Sequence, residues 1–174
     1  LQHFRVEHPR EIELQAMSSF LLDYPFAERL YPNALRVLQR LRGIGPTVIL
    51  SDGDAVFQPR KVVHAGLAKV VDGDVLIYIH KEEALDDVER RFPAEHYVLV
   101  DDKPRILVAV KQVWGERVTT VLPRQGQYAH DAKAMSALPP ADVTIERIGD
   151  LLDYDVARLG AMPRPLASSL KVRQ

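Results

Sequence analysis

The sequence predicts an α/β protein built on a doubly wound, mainly parallel, Rossmann-like sheet. Short apolar, β-branched runs alternate with helical patterns along most of the chain, as strands and crossover helices do. These runs are apolar on successive residues, the pattern of strands buried on both faces. Several end directly in polar residues, at the edge where open α/β sheets bind ligands. The 174 residues, 47% of them apolar, suit one domain with a real core.

The elements follow in order. Residues 11–22 place Ile12, Leu14, Met17, Phe20 and Leu21 on one helical stripe, after a lead-in whose His3 and His8 read as surface residues. Tyr24-Pro25-Phe26 breaks that helix and reads as a packed connector. Tyr31-Pro32-Asn33 opens a helix over Ala34–Arg42, with Leu35, Leu38 and Leu41 inward and Gly43 and Gly45 to stop it. Residues 47–50 form a short buried strand, and Ser51-Asp52-Gly53-Asp54 follows at once. A helix over 59–67 closes near Gly66, 70–74 turns, and 75–79 is a strand ending at His80-Lys81. Residues 82–92 form a charged amphipathic helix with Leu85 and Val88 inward. A buried strand over 97–100 then runs into Asp101-Asp102-Lys103-Pro104. The helix that Pro104 begins is lined by Ile106, Leu107, Val110 and Val113 and reaches Trp114. Strands over 118–122 and 141–145, a solvated loop over 124–128 and a helix near 148–152 complete the pattern. Pro, Arg and Ser content after residue 160 predicts a mobile tail.

Composition narrows the function. With 23 basic and 24 acidic residues the net charge is −1, so no overall field points to nucleic acid. The absence of cysteine excludes disulfides, thiol catalysis and cysteine-ligated metals. No run is apolar for long enough to span a bilayer and no signal-peptide pattern opens the chain, which predicts a soluble, cytoplasmic protein.

The chemistry gathers at three strand ends. Asp101 and Asp102, with Lys103 beside them, read either as a site for a hard cation or for proton chemistry, or as a helix N-cap (Asp102) beside a merely exposed acid (Asp101). Ser51-Asp52-Gly53 makes a tight turn whose N–H groups can hold an anion while the hydroxyl donates one more bond. Lys81 closes the strand between them. Parallel strands bring these ends to one edge, so a hydroxyl, an ammonium and two carboxylates converge, a set suited to a phosphate with its Mg²⁺. His64 and His80 read as capping or packing residues. Lys103 and Arg105 read as groups that attract an anion or solubilise the helix start.

In this order the motifs resemble the haloacid dehalogenase-like (HAD) hydrolase superfamily over most of residues 20–153. Residues 25–34 and the helix behind them look like the lead into that family's second motif. Val48-Ile49-Leu50-Ser51-Asp52-Gly53 is similar to that motif, Lys81 sits where the third-motif lysine belongs, and Val98-Leu99-Val100-Asp101-Asp102 is similar to the fourth. The resemblance implies that Ser51 and the Asp52 and Gly53 amides bind a transferring phosphoryl group. It implies that Lys81 neutralises that group and that Asp101 and Asp102 hold Mg²⁺. It also divides the chain into a remnant of a helical cap and linker (residues 1–30), a Rossmann-like core (31–159) and the tail (160–174).

The family's first motif, a strand ending in Asp-x-Asp whose first aspartate is the nucleophile, lies upstream of the second-motif strand in the family, and no such strand precedes Thr47 here. Asp23 is the only aspartate before the strand at 47–50. The expectation is that the chain is the remainder of a longer protein and is inactive by itself. The whole protein is expected to be a Mg²⁺-dependent phosphatase of a small phosphorylated metabolite, working through an aspartyl-phosphate. The alternative is a non-catalytic HAD-like protein that binds a phosphorylated ligand or a partner. A receiver-type signalling domain is disfavoured because its acid pair precedes the hydroxyl and the lysine. Dehalogenation is disfavoured because it has less use for two metal-binding acids.

Overall fold

All five predicted strands form in the computed structural model, which describes residues 24–53, 57–128, 137–155 and 159. The predicted helix over 11–22 and the tail beyond 160 lie outside the described residues. Every ladder is parallel. β1 (Ile49–Asp52) pairs with β2 (Val75–Tyr78) with Ile49 opposite Val75. β3 (Tyr97–Val100), β4 (Val118–Pro123) and β5 (Val143–Ile145) form a second sheet in that order, with Tyr97 opposite Val118 and Val121 opposite Val143.

Among the described residues five α-helices accompany them: α1 (Ala34–Arg42), α2 (Phe57–His64), α3 (Leu67–Val70), α4 (Leu85–Arg91) and α5 (Pro104–Trp114). Three stretches differ in part from expectation. The helix predicted over 59–67 closes near Gly66 as expected, where the chain takes φ +77°, but a further short turn, α3, begins at Leu67. The helix predicted over 82–92 opens as a 3-10 turn, Lys81–Glu83, and becomes α-helical only at Leu85. Near the end, Ile148–Leu152 is a 3-10 turn, its start held by the Arg147 N–H donating to Asp150 at 2.9 Å.

Helices cover both faces of β4, which is buried along its whole length. Val118 packs with Ile106, Val110 and Trp114 of α5, and Leu122 with Leu107 of the same helix. Val121, pointing the other way, packs with Val37 of α1, Leu151 and Leu159. This alternation is what a parallel strand between two helical layers requires. Ile106 and Val110 are fully buried, and each such side chain contributes about 1.5–3 kcal/mol. Trp114, 7% exposed, stacks on Tyr97 at 4.2 Å between ring centres and so joins the end of α5 to the start of β3.

The parallel strands fall into two sheets, in which β1 and β3 are each an edge strand. Among the described residues β1 pairs only with β2, and β3 only with β4. Both are half-buried, with Val98 40% exposed. A strand with one free edge keeps a row of N–H and C=O groups and part of its side-chain surface open.

Away from that edge, Asp142 fastens the approach to β5 onto β4. Its Oδ2 accepts the Thr120 N–H at 2.8 Å, the Thr120 hydroxyl at 2.8 Å and the Lys111 ammonium at 3.0 Å. Burial pushes this carboxyl's pKa up, but the Thr120 and Lys111 bonds outweigh it and hold the value below the usual carboxylate range. Asp142→Ala is expected to lower stability by about 1–3 kcal/mol, because two donors of buried Thr120 lose their acceptor. The contribution is present above the ordinary carboxylate pKa of about 3.9 and is lost as pH falls through the lower folded value. Urea denaturation of wild type and variant across that range checks both statements. No described helix is long and apolar enough to cross a membrane.

Candidate active site

The carboxyl ends of β1, β2 and β3 meet through two aspartates and two lysines. Asp52, at the end of β1, accepts the Lys81 N–H on Oδ1 at 3.2 Å and the Lys103 ammonium on Oδ2 at 2.9 Å. Asp101, just beyond β3, accepts the Lys81 ammonium on Oδ2 and the Lys103 N–H on Oδ1, the latter at 2.8 Å. Each lysine gives its main-chain N–H to one aspartate and its ammonium to the other. The result is a closed ring of four bonds across the two sheets, which no ladder joins. Lys81 also donates to Leu50 O of β1 at 3.4 Å. Charged hydrogen bonds of this kind are the strong ones, and the ring is internally neutral.

The acid pair does not form the helix N-cap and exposed acid that one of its two readings expects. Asp101 is 8% exposed, not a surface residue. The N-cap of α5 is Lys103 with no side-chain capping bond, so Asp102 is not the cap. Lys103 and Arg105 do not stand free at the helix start. Lys103 belongs to the ring, and Arg105 donates to Glu82 Oε1 at 2.8 Å. Glu82 keeps its other oxygen, Oε2, buried without a hydrogen-bond partner. His64 and His80 are exposed, not packed.

Electrostatics follow the geometry. Burial raises the pKa of Asp52, but the Lys103 bond, the Lys81 N–H and both lysine charges outweigh it and hold the value below the usual range. Burial lowers that of Lys103 and the bond to Asp52 more than restores it, so the ammonium holds its proton more firmly than usual. Asp102 is the opposite case. Burial and the adjacent Asp101 carboxylate both push its pKa up, and it makes no ion pair among the described residues. Its own main-chain N–H and the Lys103 and Lys81 charges offset that push only in part.

Its surroundings are close. Gly126 takes φ +78°, and a Cβ there would come within 2.5 Å of Asp102 Oδ2 and 3.3 Å of the Tyr31 hydroxyl. The loop at 124–128 is solvated as expected, with Arg124, Gln127 and Tyr128 exposed, and its Gly126 lies beside the acid pair. Tyr128 adds its ring 5.4 Å from the Lys103 ammonium, and Gln125 accepts the Ile148 N–H at 2.6 Å.

The hydroxyl turn is partly engaged. Ser51 donates to Asp52 O at 3.3 Å, and the Gly53 N–H donates to Tyr78 O at 2.9 Å, prolonging the β1–β2 ladder. Gly53 has φ +141°, and a Cβ there would lie 2.6 Å from Gln58 Nε2, so the Gln58 carboxamide sits on this turn. Among the described residues no group of three or more acids or histidines gathers to hold a metal. Mg²⁺ needs fewer protein ligands because it keeps several waters. Asp102, with its uncompensated carboxylate, and Asp101 beside it fit that requirement.

Sequence reasoning placed Ser51, Asp52, Gly53, Lys81, Asp101 and Asp102, and the fold brings them to one edge. It missed the side-chain role of Asp52, the Lys103 bond across the sheets, and the approach of Tyr31, Gln58, Gly126 and Tyr128. The Asp101-Asp102-Lys103 run held one signal for the second: a lysine directly after two acids has counter-charges within reach.

No protein-family model and no curated protein matches the chain. Among solved structures it is similar to a crystal structure, at 2.20 Å resolution, of a protein from Burkholderia xenovorans LB400 assigned as a haloacid dehalogenase-like hydrolase. The two are 62% identical, with a TM-score of 0.81, and the match covers 88% of this chain and 72% of that one.

Proposed function

The chain belongs to the haloacid dehalogenase-like hydrolases, and from that premise we propose that the protein is a Mg²⁺-dependent phosphatase of a small phosphorylated metabolite. One observation carries the reading: Asp102 stands uncompensated beside a charge-neutral Asp–Lys ring at the carboxyl ends of three parallel strands. A hydrolase acting on phosphate esters needs fixed positive charge for the phosphoryl oxygens and a carboxylate that takes a hard cation.

The residues divide the work. The Ser51 hydroxyl and the Asp52 N–H donate to the phosphoryl oxygens, the hydroxyl turning from Asp52 O to do so. The Gly53 N–H joins them only by leaving Tyr78 O. Lys81 sets its ammonium between Asp101 and the bound phosphate and orients the attacking group. Asp102, with Asp101, would hold Mg²⁺, which when bound supplies positive charge against the phosphate. On this reading the nucleophile is the first aspartate of the family's first motif, and no Asp-x-Asp stands before β1 in this sequence. The reading assigns it to a strand of the complete protein, with the free edges of β1 and β3 as its place. There the aspartate displaces the ester oxygen from phosphorus, and water then cleaves the aspartyl-phosphate.

Phosphate release from p-nitrophenyl phosphate by the complete gene product tests this. Turnover with Mg²⁺ that is lost on chelation and restored by re-addition is expected, and this chain alone is expected to be inactive. Turnover indifferent to metal would contradict the mechanism. No Asp-x-Asp precedes β1 in this sequence, and this favours one second reading, a non-catalytic HAD-like protein that binds a phosphorylated ligand or a partner. Calorimetric binding of a phosphate ester by a complete protein that also lacks the motif would establish it.

A further inference from the structure

We propose that Lys103 is a positioning residue for Lys81, acting through Asp52; its role in turnover rests on the phosphatase reading, while its role in geometry does not. Lys103 does not face an open site with a free charge. Its ammonium is bound by Asp52 at 2.9 Å and lies 5.4 Å from the ring of Tyr128, and its side chain is only 25% exposed. Asp52 in turn holds the Lys81 N–H, and its side chain is 17% exposed.

Two carboxylates and two ammonium groups share the ring, and each carboxylate has one ammonium of its own. Without Lys103, Asp52 keeps a largely buried charge and has one cation left to draw on, the Lys81 ammonium, whose field it already feels. That ammonium is bound to Asp101, so the two aspartates would compete for it. Lys81 would then be pulled toward β1, off the position from which it meets a phosphoryl oxygen. Displacement of a catalytic charge by about 1 Å costs up to about a hundred-fold in rate. Lys103 thus fixes Lys81 without touching substrate, through a bond to Asp52 that spans 51 residues of sequence and links sheets that no ladder joins.

The test uses the complete gene product with p-nitrophenyl phosphate and Mg²⁺. Lys103→Met is expected to lower kcat about ten-fold or more while KM changes by less than about two-fold, the pattern of an interaction expressed in the transition state. Lys103→Arg, which keeps Asp52 paired, is expected to regain most of the rate. Asp52→Asn added to Lys103→Met is expected to cost nothing further, since the competitor for Lys81 is gone. An unchanged kcat in Lys103→Met would overturn the proposal. So would a large rise in KM at constant kcat, which would make Lys103 a substrate ligand. If the wild type hydrolyses nothing, the phosphatase reading fails and amide exchange decides the geometry. Faster exchange of the Lys81 N–H in Lys103→Met supports the ring, and unchanged protection overturns it.

Discussion

Lys81→Met is expected to destabilise the protein by about 3–5 kcal/mol, the cost of removing one partner from a buried ion pair. The side chains of Lys81 and Asp101 are 9% and 6% exposed, so the aspartate left behind has little water to turn to. Lys103 offers it only a main-chain N–H, because the Lys103 ammonium is already committed to Asp52. Lys81→Met/Asp101→Asn should recover much of the loss, since the amide carries no charge and its carbonyl oxygen still accepts the Lys103 N–H. Denaturant midpoints of the two variants check this directly. A single variant as stable as the wild type would mean that the pair opens to solvent.

Asp102→Asn is expected to do the reverse: it removes function and spares the fold. Hydrolysis should fall by about a hundred-fold or more as the uncompensated carboxylate for the cation is lost, while stability at neutral pH stays level or rises. The folded state holds the Asp102 carboxyl above its unfolded pKa through burial and the Asp101 charge. The folded protein therefore binds that proton more tightly, and stability from this group declines as pH rises between the unfolded and folded values. The variant removes that decline, and the two proteins converge below the unfolded value of about 3.9. Mg²⁺ should raise the melting temperature of the wild type and leave the variant's nearly unmoved. Equal shifts in both would place the cation elsewhere.

Much of this was legible in the chain because strand ends are local events. Val48-Ile49-Leu50 running into Ser51-Asp52-Gly53, and Val98-Leu99-Val100 running into two aspartates, declare both a strand and its chemistry within a few residues. Parallel pairing then carries them to one edge without further information. What pairs with what was not legible. Asp52 and Lys103 are 51 residues apart, and nothing in the spacing of either says that one will close on the other. The same holds for Gly126, whose positive φ and nearness to Asp102 come from the way β4 delivers its loop. The break near Ala84 was blurred for a different reason. Helical periodicity continues through it, and only backbone geometry separates the two pieces.

The stack of Trp114 on Tyr97 gives the molecule an optical reporter in a useful place. Trp114 is the sole tryptophan of the sequence, and its ring is buried against a residue that begins the very strand ending at Asp101. Emission excited at the indole therefore reads one junction, where α5 docks on β3, free of overlapping signals from other indoles. Unseating of that helix moves the indole from an apolar contact into water and shifts its emission to longer wavelength, so the integrity of the floor beneath the acid pair can be followed without a label.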